Sequence, residues 1–192
     1  MPYEKDRKAL ELLLLEIKGQ DILTHKEAIL ELVPELMICS NCEHEHRAHI
    51  YNVFEHILHV VAGVDEDLTL KLATLLHDIG KPYVKKRYEN KVRYWGHEKV
   101  SCIFAELILK RLGYTEELIN DVCCLIKLHD TKIDPTPKSI GEIWQQIGQA
   151  NFERLLKLQI SDISAHEPVY ASRLLVYLEK LKEVYAITME VS

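Results

Sequence analysis

Four histidines and two aspartates, His56, His77, Asp78, His97, His129 and Asp162, stand where imidazole and carboxylate meet apolar helix faces. Imidazole is the commonest metal ligand and the usual proton carrier near neutral pH, so 10 His in 192 residues is a feature to explain. His77 and Asp78 close a nearly wholly apolar run containing Leu72, Leu75 and Leu76. An uncompensated carboxylate there is costly, and a bound cation removes the cost. His49, Val53, His56 and Val60 recur at intervals of four, three and four, which predicts that His56 lies on a buried helix face. Val122, Ile126 and His129 share one face and Leu155, Leu158 and Asp162 another, while His97 opens a helix just after Gly96. Nitrogen and carboxylate ligands without a thiolate suit Mn, Fe, Ni, Co or Zn, and a carboxylate can bridge two ions, which makes Asp78 the natural bridge.

Long helices are needed to bring such distant ligands together, and the composition supplies them. Seven Gly and six Pro in 192 residues fall well below the roughly 12% combined share of average chains. The apolar spacing predicts helices over about 4–18, 24–34, 50–62, 68–79, 98–112, 115–129, 139–148, 150–165 and 168–187, the second opening on a capping box at Thr24-His-Lys-Glu27. Residues 38–48 read as irregular. Gly80 and Pro82 read as a stop followed by a basic loop with Lys85, Lys86, Arg87, Lys91 and Arg93. No alternating pattern of useful length predicts a strand, so the expected fold class is all-α, a bundle of about eight or nine helices.

A net charge of −6 repels the nucleic acid backbone and anionic membranes, so a phosphate ligand must be held locally, by a metal or a small basic cluster. No stretch reaches the roughly 20 apolar residues of a membrane span and no apolar leader opens the chain, which leads us to expect a cytoplasmic protein without a membrane partner. Five cysteines, an odd number without a secretory signal, read as reduced thiols. Cys39-Ser-Asn-Cys42 with His44 and His46 has half the pattern of a zinc knuckle and no second half. Cys102, Cys123 and Cys124 read as small core residues, and the oligomeric state stays open.

With the ligands in this order, His77-Asp-Ile-Gly-Lys81 between His56 and Asp162 resembles the HD-domain metal-dependent phosphohydrolases, and the set completed by His97 and His129 resembles the pattern of those that hold two metals. Val33-Pro-Glu-Leu36, His49 to His56, Leu75 to Pro82, Gly96-His-Glu98 and His129-Asp130 further resemble the HD region of bacterial CCA-adding tRNA nucleotidyltransferases, over about residues 22–166. Those enzymes carry a separate polymerase head with a Gly-Ser and paired-aspartate motif that has no counterpart here, so the resemblance does not imply nucleotide addition. It does imply one HD-type domain over 1–192, with an N-terminal helical extension at 1–37, the HD core at 48–166 and a C-terminal helix at 167–192. It implies a first metal site at His56, His77, Asp78 and Asp162, and a second at His97 and His129 sharing Asp78.

Two cations, drawn from Mn, Fe, Ni, Co or Mg, would activate a water and neutralise phosphoryl charge during in-line attack. Asp78 and Lys81 are the expected catalytic residues. Lys81, His49 and Arg93 are the expected substrate contacts, with Tyr88, Tyr94 or Trp95 as a stacking face for a base. The expected activity is hydrolysis of a nucleotide or other small phosphoester, by a phosphodiesterase, phosphatase or nucleotidase. The alternative is a non-catalytic RNA- or tRNA-interacting accessory module derived from the CCA-adding architecture. His25, His44, His46, His59 and His166 are read as facing water or capping loops.

Overall fold

The computed structural model describes residues 3–45, 50–89 and 91–191. Its helices are, in order, α1 (Glu4–Glu16), α2 (Lys26–Leu32), α3 (Met37–Ser40), α4 (Val53–Ala62), α5 (Leu68–Leu76), α6 (Lys81–Val84), α7 (His97–Leu112), α8 (Glu116–Leu128), α9 (Pro137–Ile147), α10 (Gln149–Ser164) and α11 (Pro168–Val191). The fold is all-α. Setting aside the single turns α3 and α6, nine helices remain among the described residues, in line with the predicted number.

The most completely buried helix takes the centre. Every residue of α5 from Thr69 to Leu76 is buried, and α1, α4, α7, α8 and α10 pack around it. Leu70, Leu72, Leu75 and Leu76 each contribute about 2 kcal/mol by leaving water. The helix starts where Asp67 accepts the Leu70 N–H at 3.0 Å; Asn52 starts α4 in the same way by accepting from Glu55 at 2.9 Å. α11 folds back along α9 and α10, burying Leu178 and Leu181 in the core, as its expected internal packing requires. Among the described residues, no helix is long and apolar enough to cross a membrane.

Several local expectations change. Thr24 does not form its capping box. Its hydroxyl donates to the Asp21 carbonyl at 2.8 Å, residues Gly19–His25 form a 3-10 helix, and α2 begins only at Lys26. Gly80 does not stop the chain in a loop but leads into α6 with Pro82 in its first turn, where no N–H is needed. The basic loop is an antiparallel hairpin, β1 (Lys86–Tyr88) and β2 (Lys91–Arg93), with Lys86 opposite Arg93 and Tyr88 opposite Lys91. Three-residue strands are too short to show an alternation, and the turn lacks the Asn-Gly or Asp-Gly signal of tight hairpins; Glu89 itself adopts the left-handed conformation at φ 49°.

Candidate metal centre

The backbone aims the imidazoles. Nδ1 of His77 donates to the Thr74 carbonyl at 2.7 Å, that of His129 to Ile126 at 2.7 Å and that of His97 to Tyr94 at 3.0 Å, each three residues back. With Nδ1 turned to the backbone, Nε2 is left facing inward, the atom that a metal would take as its ligand. Asp162 is brought opposite by α10, whose neighbouring Ser161 hydroxyl donates to the Val60 carbonyl of α4 at 2.8 Å.

All six residues expected as ligands converge, and Asp78 lies between two groups. Its Oδ2 is 3.6 Å from His56 Nε2 and 3.3 Å from His77 Nε2; Asp162 Oδ1 closes that side at 2.8 Å from His56 and 3.7 Å from His77. Its Oδ1 is 3.2 Å from His97 Nε2 and 3.8 Å from His129 Nε2, which are 3.1 Å from each other. His56, His77 and Asp78 form one group of donors close enough to hold an ion, and Asp78, His97 and His129 form another.

The buried polar atoms suit a cation. Both Asp78 oxygens and His77 Nε2 are shielded from water and make no hydrogen bond among the described residues, although Lys81 Nζ balances charge at 2.6 Å from Oδ2. Unsatisfied buried acceptors of this kind are costly unless an ion or water completes them. Burial disfavours the charged carboxylates, but His77 and Lys81 hold Asp78 well below the ordinary range, and the His56 hydrogen bond at 2.8 Å with the nearby charge of His77 does the same for Asp162. Burial likewise opposes a proton on His77, yet Asp78 and Asp162 outweigh it and raise that group to about 10. A cation entering the group must therefore displace the His77 proton. Metal affinity is expected to rise with pH up to about 10 and to fall roughly tenfold per unit as pH drops, for each proton released. Titration calorimetry in buffers of different ionisation enthalpy measures that release, and an affinity independent of pH between 6 and 8 would contradict it.

Lys81 is buried in this cluster, with its ammonium also 3.3 Å from His44 Nε2 and 5.7 Å from the Tyr94 ring centre. Arg93 reaches the rim of the adjoining cleft. His49 and His46 lie outside the described residues. Two histidines read as solvent-facing are placed differently. His44 is buried, because Lys85 and Arg87 pair with Glu45 and the Tyr94 hydroxyl donates to the His44 carbonyl at 2.5 Å, drawing that segment over the site. Burial, then the Lys81 charge, pushes its pKa down to about 2, so it accepts from Lys81 as a neutral ring. His166 donates from Nδ1 to the Asp162 carbonyl at 2.7 Å, stands edge-on to His56 and forms a third potential donor group with His56 and Asp162. Its signal was the four-residue spacing from Asp162. Among the described residues no such group includes a cysteine; Cys39 and Cys42 are buried thiols.

Gln159 was not expected at the site, yet its amide donates to the carbonyls of His129 at 3.0 Å and Thr131 at 2.9 Å. It thereby fixes the end of α8 against α10. Gln159→Ala is expected to weaken any metal binding at the group containing His129 by roughly 10–100-fold, the usual effect of losing an outer support, and to leave binding at the group around His56 unchanged. Metal titration followed by mass spectrometry would count the ions retained.

A helical bundle with a buried His/Asp cluster able to hold metal is the class of protein that this fold and site define. The chain belongs to the HD domain family, whose family model matches residues 46–165. It is similar to the A-adding tRNA nucleotidyltransferase of Deinococcus radiodurans, 29% identical over 151 residues that make up 74% of this chain and 35% of that enzyme. It is also similar to the CC-adding tRNA nucleotidyltransferase of Thermus thermophilus, 28% identical over 116 residues, 56% of this chain and 26% of that enzyme. The chain thus spans about a third or less of the length of these curated relatives.

Proposed function

We propose that this chain is a metal-dependent phosphohydrolase acting on a nucleotide or other small phosphoester. In this reading His56, His77, Asp78 and Asp162 hold one divalent ion, and His97 and His129 hold a second that shares Asp78. The observation that carries it is the division of Asp78, whose two oxygens each face a different pair of imidazoles. Divalent ions such as Mn, Fe, Ni, Co or Mg, when bound, supply Lewis-acid charge and water activation at neutral pH. The remaining work falls to the chain. The backbone carbonyls behind His77, His97 and His129 hold the rings in place, so binding costs little reorganisation. Lys81 meets a phosphoryl oxygen with a charge already desolvated, and Arg93 draws the anion in from the rim. Protein loaded in turn with Mn, Co, Ni and Mg is expected to hydrolyse members of a phosphoester and nucleotide panel and to lose that turnover to a chelator. No turnover with any of these ions would overturn the reading.

The similarity to two tRNA nucleotidyltransferases supports RNA as a second class of ligand. With a net charge of −6, such binding would rest on the hairpin cations Lys86, Arg87, Lys91 and Arg93. Salt-dependent tRNA binding by the metal-free protein supports it, and no binding at low salt removes it.

A further inference from the structure

The cluster stands where two cavities meet. One, of about 460 Å³, is bounded by Lys81, Arg93, Tyr94 and Trp95 and reaches His97. The other, of about 350 Å³, is bounded by Lys132, Leu174, Tyr177 and Leu178 and reaches His129. Asp130, Asp162, His166 and Tyr170 line both, so the wall between them is the open edge of the cluster itself. Each lobe falls within the roughly 300–1,000 Å³ of sites that enclose small organic molecules. A phosphate monoester has one organic arm and fills one lobe. A phosphodiester held at the junction has two arms and fills both.

The walls indicate what the arms are. In the first lobe Trp95 is 70% exposed and its ring lies 5.4 Å from Tyr88, beside Arg93. Exposed aromatic faces among cations stack nucleobases. The hairpin register also sets Lys86 directly opposite Arg93, a like-charge pair that weakens a strand ladder and that a bound anion would relieve. The second lobe is apolar along α11, where Leu174 and Leu178 face inward and the Lys132 ammonium lies 5.6 Å from the Tyr177 ring centre. The aliphatic side chains and that tyrosine offer apolar contact to a second organic group.

We infer that the site takes an acyclic phosphodiester joining two nucleoside-sized arms, one on Trp95 and the other against Leu174 and Tyr177. This rests on the phosphohydrolase reading and narrows its substrate. In the reaction the oxygen of water bonds to phosphorus and the P–O bond to one arm breaks. That arm takes up one proton of the water and leaves as an alcohol, the other arm remains as a phosphate monoester, and the second proton goes to solvent.

Trp95→Ala removes the first platform and Leu174→Trp fills the second lobe; the former residue is exposed and the latter half-buried, so both variants keep the core. Calorimetry on Mn-loaded protein would compare a dinucleoside phosphorothioate, whose sulfur slows cleavage, with a mononucleotide. Wild type is expected to bind the dinucleotide at least about fivefold more tightly, the low end of one stacked base. Both variants should lose about that factor, whereas Leu174→Trp leaves the mononucleotide unchanged. The kcat/KM for dinucleoside monophosphates should fall in parallel. Equal affinity for the two ligands, or dinucleotide binding indifferent to both substitutions, overturns the inference while monoester turnover keeps the phosphohydrolase reading. Absence of all turnover defeats that reading instead, and the affinities still decide whether two arms are held. A longer oligonucleotide binding more tightly than the dinucleotide upholds the diester as part of a strand, and weaker binding upholds it as a free dinucleotide.

Discussion

Asp78→Ala is expected to eliminate stoichiometric metal binding at both halves of the cluster and to lower phosphoester turnover by more than the roughly 10–100-fold that loss of an outer-shell partner costs. Each half depends on one of its oxygens, so removing a single side chain empties both. His97→Ala, which touches only the Oδ1 side, should leave one ion in place. Metal content by mass spectrometry separates the two variants, and Asp78→Ala protein retaining a full complement would refute the bridging role. A second effect follows in the metal-free protein. Lys81 is held charged in the interior because Asp78, at 2.6 Å, outweighs the penalty of burial. Without Asp78 that charge loses its nearest counter-ion, and breaking a buried pair from one side costs about 3–5 kcal/mol. Asp78→Ala with Lys81→Met should recover much of the lost stability in denaturant melts and none of the metal.

The other large effect comes from a residue with no chemistry. Gly80→Ala would place a methyl group 2.4 Å from the His97 carbonyl oxygen and 2.6 Å from the Ser101 nitrogen, both backbone atoms that cannot step aside. The backbone at Gly80 is ordinary, with φ −78°, so the conflict is purely one of space. At this contact the Gly80 N–H donates to the Ser101 hydroxyl at 2.9 Å and α6 lies directly on α7. Forcing the two apart is expected to cost about 3 kcal/mol, lowering the melting midpoint by roughly 10 °C, and to pull His97 away from Asp78 so that the second ion is lost first. Gly141→Ala, inside α9 with nothing within 4 Å of the added carbon, is the control and should stabilise slightly. Equal melting midpoints for the two variants would contradict the close approach.

Much of the site was legible because helical periodicity reports which face is buried. His56 and His129 lie on stripes of core residues, and Asp78 follows closely on a nearly wholly buried helix, where a lone carboxylate signals a missing counter-charge. His44 escaped because it sits in a segment without period, and only the ties from Glu45 and Tyr94 across to the hairpin region bring its ring against Lys81. His166 escaped because it follows the last turn of α10, where side-chain direction depends on how the chain leaves the helix. Gln159 could not have been distinguished from any other buried amide, since its partners are carbonyls 28 to 30 residues away.

Local order along the chain, then, was enough to anticipate the long helices and the burial of α5, because burial pattern is a property of neighbouring residues; the six candidate donors came together through an order along the chain that resembles the HD family. Which oxygen of Asp78 faces which histidines, the close seating of Gly80 on Ser101 and the meeting of two cavities at Asp162 were decided only by the packing of α4, α5, α7, α8 and α10. Distances of a few ångströms between atoms 21 to 106 residues apart depend on the angles at which helices cross, and those angles are set by side-chain volumes across the whole core.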